Sequence, residues 1–204
     1  MRGPVSRLKP MLDDRGADEG DLQSARKREL YEQAAALFAR HGYRGASMRD
    51  IGAARGSYGG SLYHHVRSKE DLFLAVHGQA LSQAAERIRQ AADAVADPWD
   101  RLEAAAIRLL EIQLDPHSIT TPMMNDFATA PASLKARLVE QRDSFESLFK
   151  SLVADLPLDP AIDRDIFRIT LLSLLNSAVV WYKPGRLSPA EIGRRILAIY
   201  RRPA

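Results

Sequence analysis

The sequence predicts an all-α protein in which a small basic unit stands on a larger helical body. Apolar residues recur at three- and four-residue spacing in segment after segment, with no strand-like alternation and no internal repeat. Glycines, prolines and Ser or Asp residues fall between those segments, where helices should stop and start. Charge is unevenly placed: residues 24–69 hold nine basic side chains against three acidic ones, a net +6, while residues 1–23 come to −1 and residues 70–204 to −2. A basic block on a nearly neutral body is the footprint of a protein that meets phosphates with one end, although a solvated charged face gives the same count.

Residues 1–23 mix Gly, Pro and both signs of charge without a period and read as a disordered tail. From Ser24, the residues Leu30, Ala34, Leu37 and Phe38 fall at helical spacing, and Gly42 is placed to end this helix in a left-handed cap. Arg26, Lys27 and Arg28 stand at its start, where the helix dipole disfavours cations unless an anion such as a DNA phosphate approaches. Ser47 caps a helix over residues 48–55 that buries Ile51 and Met48, and Gly56 ends it. Gly59, Gly60 and Ser61 open a helix of barely two turns, with Leu62 and Val66 inward, too short to stand without neighbours. Ser68 caps the next helix, with Lys69, Glu70 and Asp71 in its first turn. Two short helices joined by a tight glycine-containing turn are the pattern of a helix-turn-helix.

The helix after Ser68 is long, with Leu72, Val76, Ala80, Ala84 and Ile88 down one face, and it fades near Asp97-Pro98. Residues 99–114 carry Leu102, Ala106, Leu109 and Ile112, and Asp115-Pro116 breaks the chain. A looser stretch over residues 118–130 is followed by a helix over 132–156 with Leu134, Leu138, Phe145, Leu148, Phe149 and Leu152 on one face. Residues 161–182 are apolar nearly all round after Ile169, so this helix must be buried on more than one side. Lys183-Pro184-Gly185 turns the chain. Ser188-Pro189-Ala190-Glu191 then has the form of a capping box with Pro at the first helical position, opening a last helix with Ile192, Ile196, Ile199 and Tyr200 on one face.

Several function classes are excluded on the same evidence. Cysteine is absent, which rules out disulfides, thiolate metal sites and a cysteine nucleophile and suits a reducing compartment. The N-terminus lacks an apolar signal region, and the longest apolar stretch, over residues 171–181, is too short to span a bilayer, so a cytoplasmic location is expected. No Walker loop, GxGxxG or HExxH occurs, and Gly59-Gly60-Ser61 fails the nucleophile-elbow pattern because residue 63 is Tyr. No enzyme activity, metal or cofactor is expected. The five histidines lack metal-ligand spacing, and His41 and His77 read as ordinary helix residues.

The N-terminal segment resembles the TetR family of bacterial transcriptional regulators. The residues that carry the likeness are Phe38-Ala39-Arg40-His41-Gly42-Tyr43, Ser47-Met48-Arg49-Asp50-Ile51, Gly60-Ser61-Leu62-Tyr63-His64-His65 and Ser68-Lys69-Glu70-Asp71-Leu72, in order over about residues 26–75. The resemblance implies a nine-helix fold. Residues 24–70 would form the helix-turn-helix DNA-binding domain after the tail 1–23, and residues 71–204 the effector-binding and dimerisation domain. Asn176, Trp181-Tyr182-Lys183-Pro184-Gly185 and Leu187-Ser188-Pro189 also look like the end of a subgroup that regulates fatty-acid or steroid breakdown and senses acyl-CoA thioesters. The sequence departs from the family at Ser57, Tyr58 and Val66, where an apolar residue, a small polar one and Phe are usual.

A recognition helix needs close backbone approach, hydrogen-bonding groups for phosphate and a few groups for base edges. Gly59 and Gly60 permit the approach. Ser47, Ser61, Tyr63, His64 and Lys69 suit phosphate, Arg44 and Arg49 lie on the flanks, and Tyr58 with Ser61 and His64 are the polar candidates near the groove floor. So few base-reading groups leave much of the specificity to DNA shape. Effector-lining candidates are His117, Met123, Met124, Phe127, Phe145, Phe149, Asn176 and Trp181, although an ordinary core uses the same residue types. Asn176 stands out because a buried amide needs a partner, either an effector or a second subunit. The function expected is a dimeric repressor of a palindromic double-stranded operator, released by a small hydrophobic effector and paired through the helices at 161–182 and 188–201. The alternative is a helical DNA-binding or adaptor protein without an effector.

Overall fold

The computed structural model describes residues 15–54, 66–116, 118 and 130–201, with side-chain environments from Ala25 onward except at Arg26 and Ala54. Among these residues there are seven helices and no strand. They are α1 Arg15–Gly45, α2 Met48–Ala54, α3 Lys69–Asp93, α4 Pro98–Leu114, α5 Ala132–Ala154, α6 Arg164–Trp181 and α7 Pro189–Tyr200. The expected two-turn helix after Gly59 lies outside the described residues, as does nearly all of the stretch 118–130.

Local chemistry sets most of the helix ends. Ser47 accepts the Asp50 backbone N–H at 3.1 Å, and the Asp50 carboxylate accepts in return from the Ser47 hydroxyl at 2.5 Å and its N–H at 3.3 Å. This is a capping box with Asp in place of Glu. Ser68 takes the Asp71 N–H at 3.0 Å, Asp97 caps α4 through Trp99 and Asp100, and Asp163 caps α6 through Asp165 and Ile166. The predicted box at α7 is complete, with Glu191 N–H to Ser188 Oγ at 3.2 Å and Ser188 N–H to Glu191 Oε2 at 2.8 Å. Those bonds to Ser188 hold the Glu191 carboxyl below its ordinary pKa. The guanidinium of Arg164 donates to the carbonyls of Val153, Ala154 and Leu156 and so satisfies the end of α5.

Three expectations need correction. Helix α1 begins at Arg15, so residues 15–23 of the predicted tail are helical. No proline interrupts this segment, and a nucleated helix adds one hydrogen bond per further residue. Gly42 does break α1, but at φ 64° and ψ 175°, an extended partner to a positive φ and not a left-handed helical cap. Helix α6 is buried on one side only in the protomer. Phe167, Leu171, Leu172, Leu175 and Ala178 face inward, while Ile166, Ile169, Val179, Val180 and Trp181 are exposed.

The helices enclose two cores, and α3 belongs to both. The first core joins Leu30, Ala34, Phe38 and Tyr43 of α1 and Ile51 of α2 to Leu72, Phe73, Leu74 and Val76 at the start of α3, and it also takes in Ala130, Leu134 and Leu138. Phe73 lies at its centre, edge-on to Phe38 at 5.0 Å and to Tyr43 at 5.1 Å between ring centroids. The second core begins at Leu81 on α3 and is built on α4, which packs against α3, α5, α6 and α7. The α4–α7 contact is close because Gly193 faces Ile107: a Cβ there would meet Ile107 Cγ1 at 2.8 Å and its Cα at 3.3 Å.

Candidate nucleic-acid interface and effector cleft

Of the basic block, Lys27, Arg28, Arg40, Arg44, Arg49 and Arg67 are exposed around the first core. Of the predicted DNA contacts, Arg44 lies at the end of α1 and Arg49 in the first turn of α2. Lys69 opens α3 with its ammonium 4.4 Å from the centre of the buried Tyr43 ring, which holds the charge beside the exposed amides of the helix start. Burial, reinforced by the charge of Glu70, raises the Tyr43 phenol above its ordinary pKa, so it stays neutral. Ser47 is more constrained than the sequence suggests, because its one hydroxyl hydrogen already goes to Asp50. Tyr58, Gly59, Gly60, Ser61, Tyr63 and His64 lie outside the described residues. Val66 closes the segment as a buried member of the first core, where the family would have the larger Phe.

The proposed effector residues divide into three groups. His117, Met123, Met124 and Phe127 lie outside the described residues. Phe145 and Phe149 come together in the second core with ring centroids 6.3 Å apart, and Phe145 also lines a cleft of about 610 Å³ between α3 and α5. Asn176 and Trp181 are exposed on α6. The premise that Asn176 is buried therefore fails. Its partner is Gln113 of α4, which is itself buried and donates its amide to Asn176 Oδ1 at 2.7 Å. The Trp181 indole donates to Ser177 at 3.2 Å. Helical periodicity identifies α6 as apolar all round, but it does not say which side meets the rest of the chain.

Sequence reasoning passed over two buried polar residues, Gln113 and His77. His77, read from the sequence as an ordinary helix residue, is 1% exposed, and its Nδ1 lies 2.7 Å from Gln141 Oε1 on α5. Burial pushes its pKa below the ordinary value, only partly opposed by the bond to Gln141. The signal available in the sequence was a histidine next to a glycine, Gly78, inside an otherwise regular apolar helix. Among the described residues, no cluster of His, Asp or Glu has the arrangement of a metal site, and no helix is long and apolar enough to cross a membrane.

Comparison with known proteins accounts for nearly the whole chain. Residues 30–76 match the family described as "Bacterial regulatory proteins, tetR family", and residues 95–203 match "Tetracyclin repressor-like, C-terminal domain". The HTH-type transcriptional repressor KstR2 of Mycobacterium tuberculosis is 30% identical over 183 residues, covering 86% of this chain and 91% of the relative. The solved structure of the ketosteroid transcriptional regulator KstR2 of Mycobacterium tuberculosis superposes with a TM-score of 0.64 at 28% identity, over 85% of this chain and 92% of that one. AibR, solved in complex with isovaleryl coenzyme A and operator DNA, shares the fold with a TM-score of 0.72 at 23% identity, over 85% of this chain and 97% of that one.

Proposed function

Because the chain belongs to the TetR family of bacterial regulatory proteins, we propose that it is a dimeric, ligand-responsive repressor that leaves a palindromic operator when a small hydrophobic effector binds. The observation that carries this reading is the sharing of α3 between the basic unit and the body, since a movement of α3 in the second core must be felt in the first. The family and its relatives are transcriptional regulators. In this reading Arg44, Ser47, Arg49 and Lys69 meet the DNA backbone beside Tyr58, Gly59, Gly60, Ser61, Tyr63 and His64. Two copies hold their recognition helices about one DNA turn, roughly 34 Å, apart. The apolar strip of Ile166, Ile169, Val179, Val180 and Trp181 on α6, with Ile199 on α7, supports pairing through these two helices.

The effector is an acyl-CoA thioester. Support comes from the segment Trp181 to Pro189, which resembles the acyl-CoA-sensing subgroup, and from the fold shared with AibR, which was solved with isovaleryl coenzyme A. The effector's acyl part enters beside Phe145 and Phe149, with His117, Met123, Met124 and Phe127 as further candidate contacts, and Asn176 and Trp181 lie toward the subunit boundary. The protein works in the cytoplasm, where its DNA is. The test is a gel-shift titration with palindromic DNA from upstream of its own gene at two salt concentrations, followed by addition of acyl-CoAs, free fatty acids and aromatics. A salt-dependent complex dissolved by acyl-CoAs alone is expected. A monomer in solution, or no salt-dependent shift on any such palindrome, refutes the proposal. A complex indifferent to every compound leaves a DNA-binding protein without an effector.

A further inference from the structure

We propose that Gln141 of α5, seated in the notch left by Gly78 on α3, is the positioning residue through which the effector domain sets the orientation of the DNA-binding unit. This rests on the ligand-responsive reading above for its purpose, though not for its geometry. The Gln141 amide crosses α3 where that helix has no side chain: a Cβ on residue 78 would lie 2.9 Å from Gln141 Nε2 and 3.3 Å from its Cδ. A glycine inside a helix is costly relative to alanine. At Gly78 that cost is matched by what the gap admits.

Through the gap, Gln141 Nε2 donates to the Leu74 carbonyl at 3.1 Å, and Oε1 meets His77 Nδ1 at 2.7 Å. An amide oxygen can only accept, so His77 is the donor in this pair and carries its proton on Nδ1. The buried imidazole stacks on Phe73 at 6.3 Å, and Phe73 packs edge-on against Phe38 and Tyr43 of α1. A continuous line of contacts therefore runs from α5 into the centre of the first core. On its other side Gln141, with Ser82, Ser144 and Phe145, lines the 610 Å³ cleft between α3 and α5. The crossing falls at the waist of α3, after Val76 of the first core and before Leu81 of the second. Leu134 and Leu138 of α5 also pack into the first core beside the start of α3, but the other polar links there, Arg137–Asp71 at 3.8 Å and Ser133–Glu70 at 3.4 Å, are exposed and weak by comparison. An occupant of the cleft that engages Gln141 withdraws its amide from Leu74 and His77, and α3 is then free to shift along α5.

The test uses the full chain in four forms: wild type, Gly78→Ala, Gln141→Leu and His77→Asn, the last keeping a donor at the place of Nδ1. Hydrogen–deuterium exchange needs neither DNA nor effector. It is expected to quicken by about tenfold or more across residues 25–54 in Gly78→Ala and Gln141→Leu, with α4 and α7 unchanged and His77→Asn close to wild type. Exchange that rises uniformly over the chain, or nowhere, overturns the proposal, because a plain packing defect loosens the body as well. The second readout is the ratio of operator affinity with and without saturating octanoyl-CoA, by fluorescence anisotropy. Gln141→Leu should bind the operator without octanoyl-CoA about as weakly as the wild type does with it, so that the ratio falls toward one. A ratio equal to wild type also overturns the proposal. If octanoyl-CoA does not release the wild type, the choice of effector fails, and the exchange pattern alone decides the role of Gln141.

Discussion

Replacing Gly193 by alanine sets two opposed effects against each other at the α4–α7 contact. In a helix interior alanine is favoured over glycine by about 0.8–1.0 kcal/mol. Against this, the new Cβ would stand 2.8 Å from Ile107 Cγ1, 3.3 Å from its Cα and 3.4 Å from its N. The side-chain clash can be relieved by an off-rotamer Ile107 for about 0.5–1.5 kcal/mol. The backbone contacts cannot be relieved so easily, because neighbouring Ala105, Ala106 and Leu109 fix α4 in the core. Overpacking of this kind costs about 1–3 kcal/mol, and two of the three close atoms are backbone, which argues for the upper part of that range. The net expectation is a loss of about 1–2 kcal/mol, or a Tm lower by about 2–8 °C for a chain of this size. Scanning calorimetry at fixed protein concentration measures it, since assembly of the two copies also moves Tm. Adding Ile107→Ala to the variant should recover only the side-chain part, seen as a coupling of about 0.5–1 kcal/mol in a double-mutant cycle. An unchanged or raised Tm would mean that α7 moves away from α4 without loss, and would refute the close-packing argument.

Four further outcomes are expected. Gly42→Ala forces a side chain onto a backbone at φ 64° and ψ 175°, so chemical denaturation should show a loss of about 1–3 kcal/mol. The pKa of His77 is lowered by folding, so the unfolded chain binds the proton more readily. Its contribution to stability is then whole above about pH 6.5 and declines as pH falls through that value toward the lower folded pKa, and urea midpoints in His77→Asn should show a shallower decline over that window. Val180→Asp, at a position 89% exposed in the protomer, should give a folded monomer by sedimentation velocity. Arg49→Ala should weaken operator binding about equally across DNA sequences and reduce the slope of log affinity against log salt by about one.

Features set by near neighbours were legible in the sequence. The caps at Ser47, Ser68 and Ser188 each need a partner three residues on, so they could be read directly. The break at Gly42 was equally plain, although its ψ was not, because positive φ is compatible with more than one glycine conformation. What joins distant segments was not legible. Gly78 and Gln141 are separated by the whole of α4 and the segments on either side of it, and a glutamine on a helix carries no sign of burial until its partner helix is placed. Asn176 failed for the same reason in reverse, since periodicity marks an apolar helix without saying which side stays open. The charge count marked out a basic block but could not show that Ser47 already spends its hydroxyl hydrogen on Asp50.

The sharing of Leu72, Phe73, Leu74 and Val76 with Ala130, Leu134 and Leu138 bears on how the protein can be taken apart and reused. A cut after residue 70 falls in the first turn of α3 and leaves the basic unit without the inner wall of its own core, and the fragment should not hold its shape. A hybrid that joins this DNA-reading end to another regulator's sensor has to carry the start of α3 and the first turns of α5 with it. Portability is thus limited by packing that the linear boundary does not reveal, and a new sensor must come with a helix able to fill the place of Leu134 and Leu138.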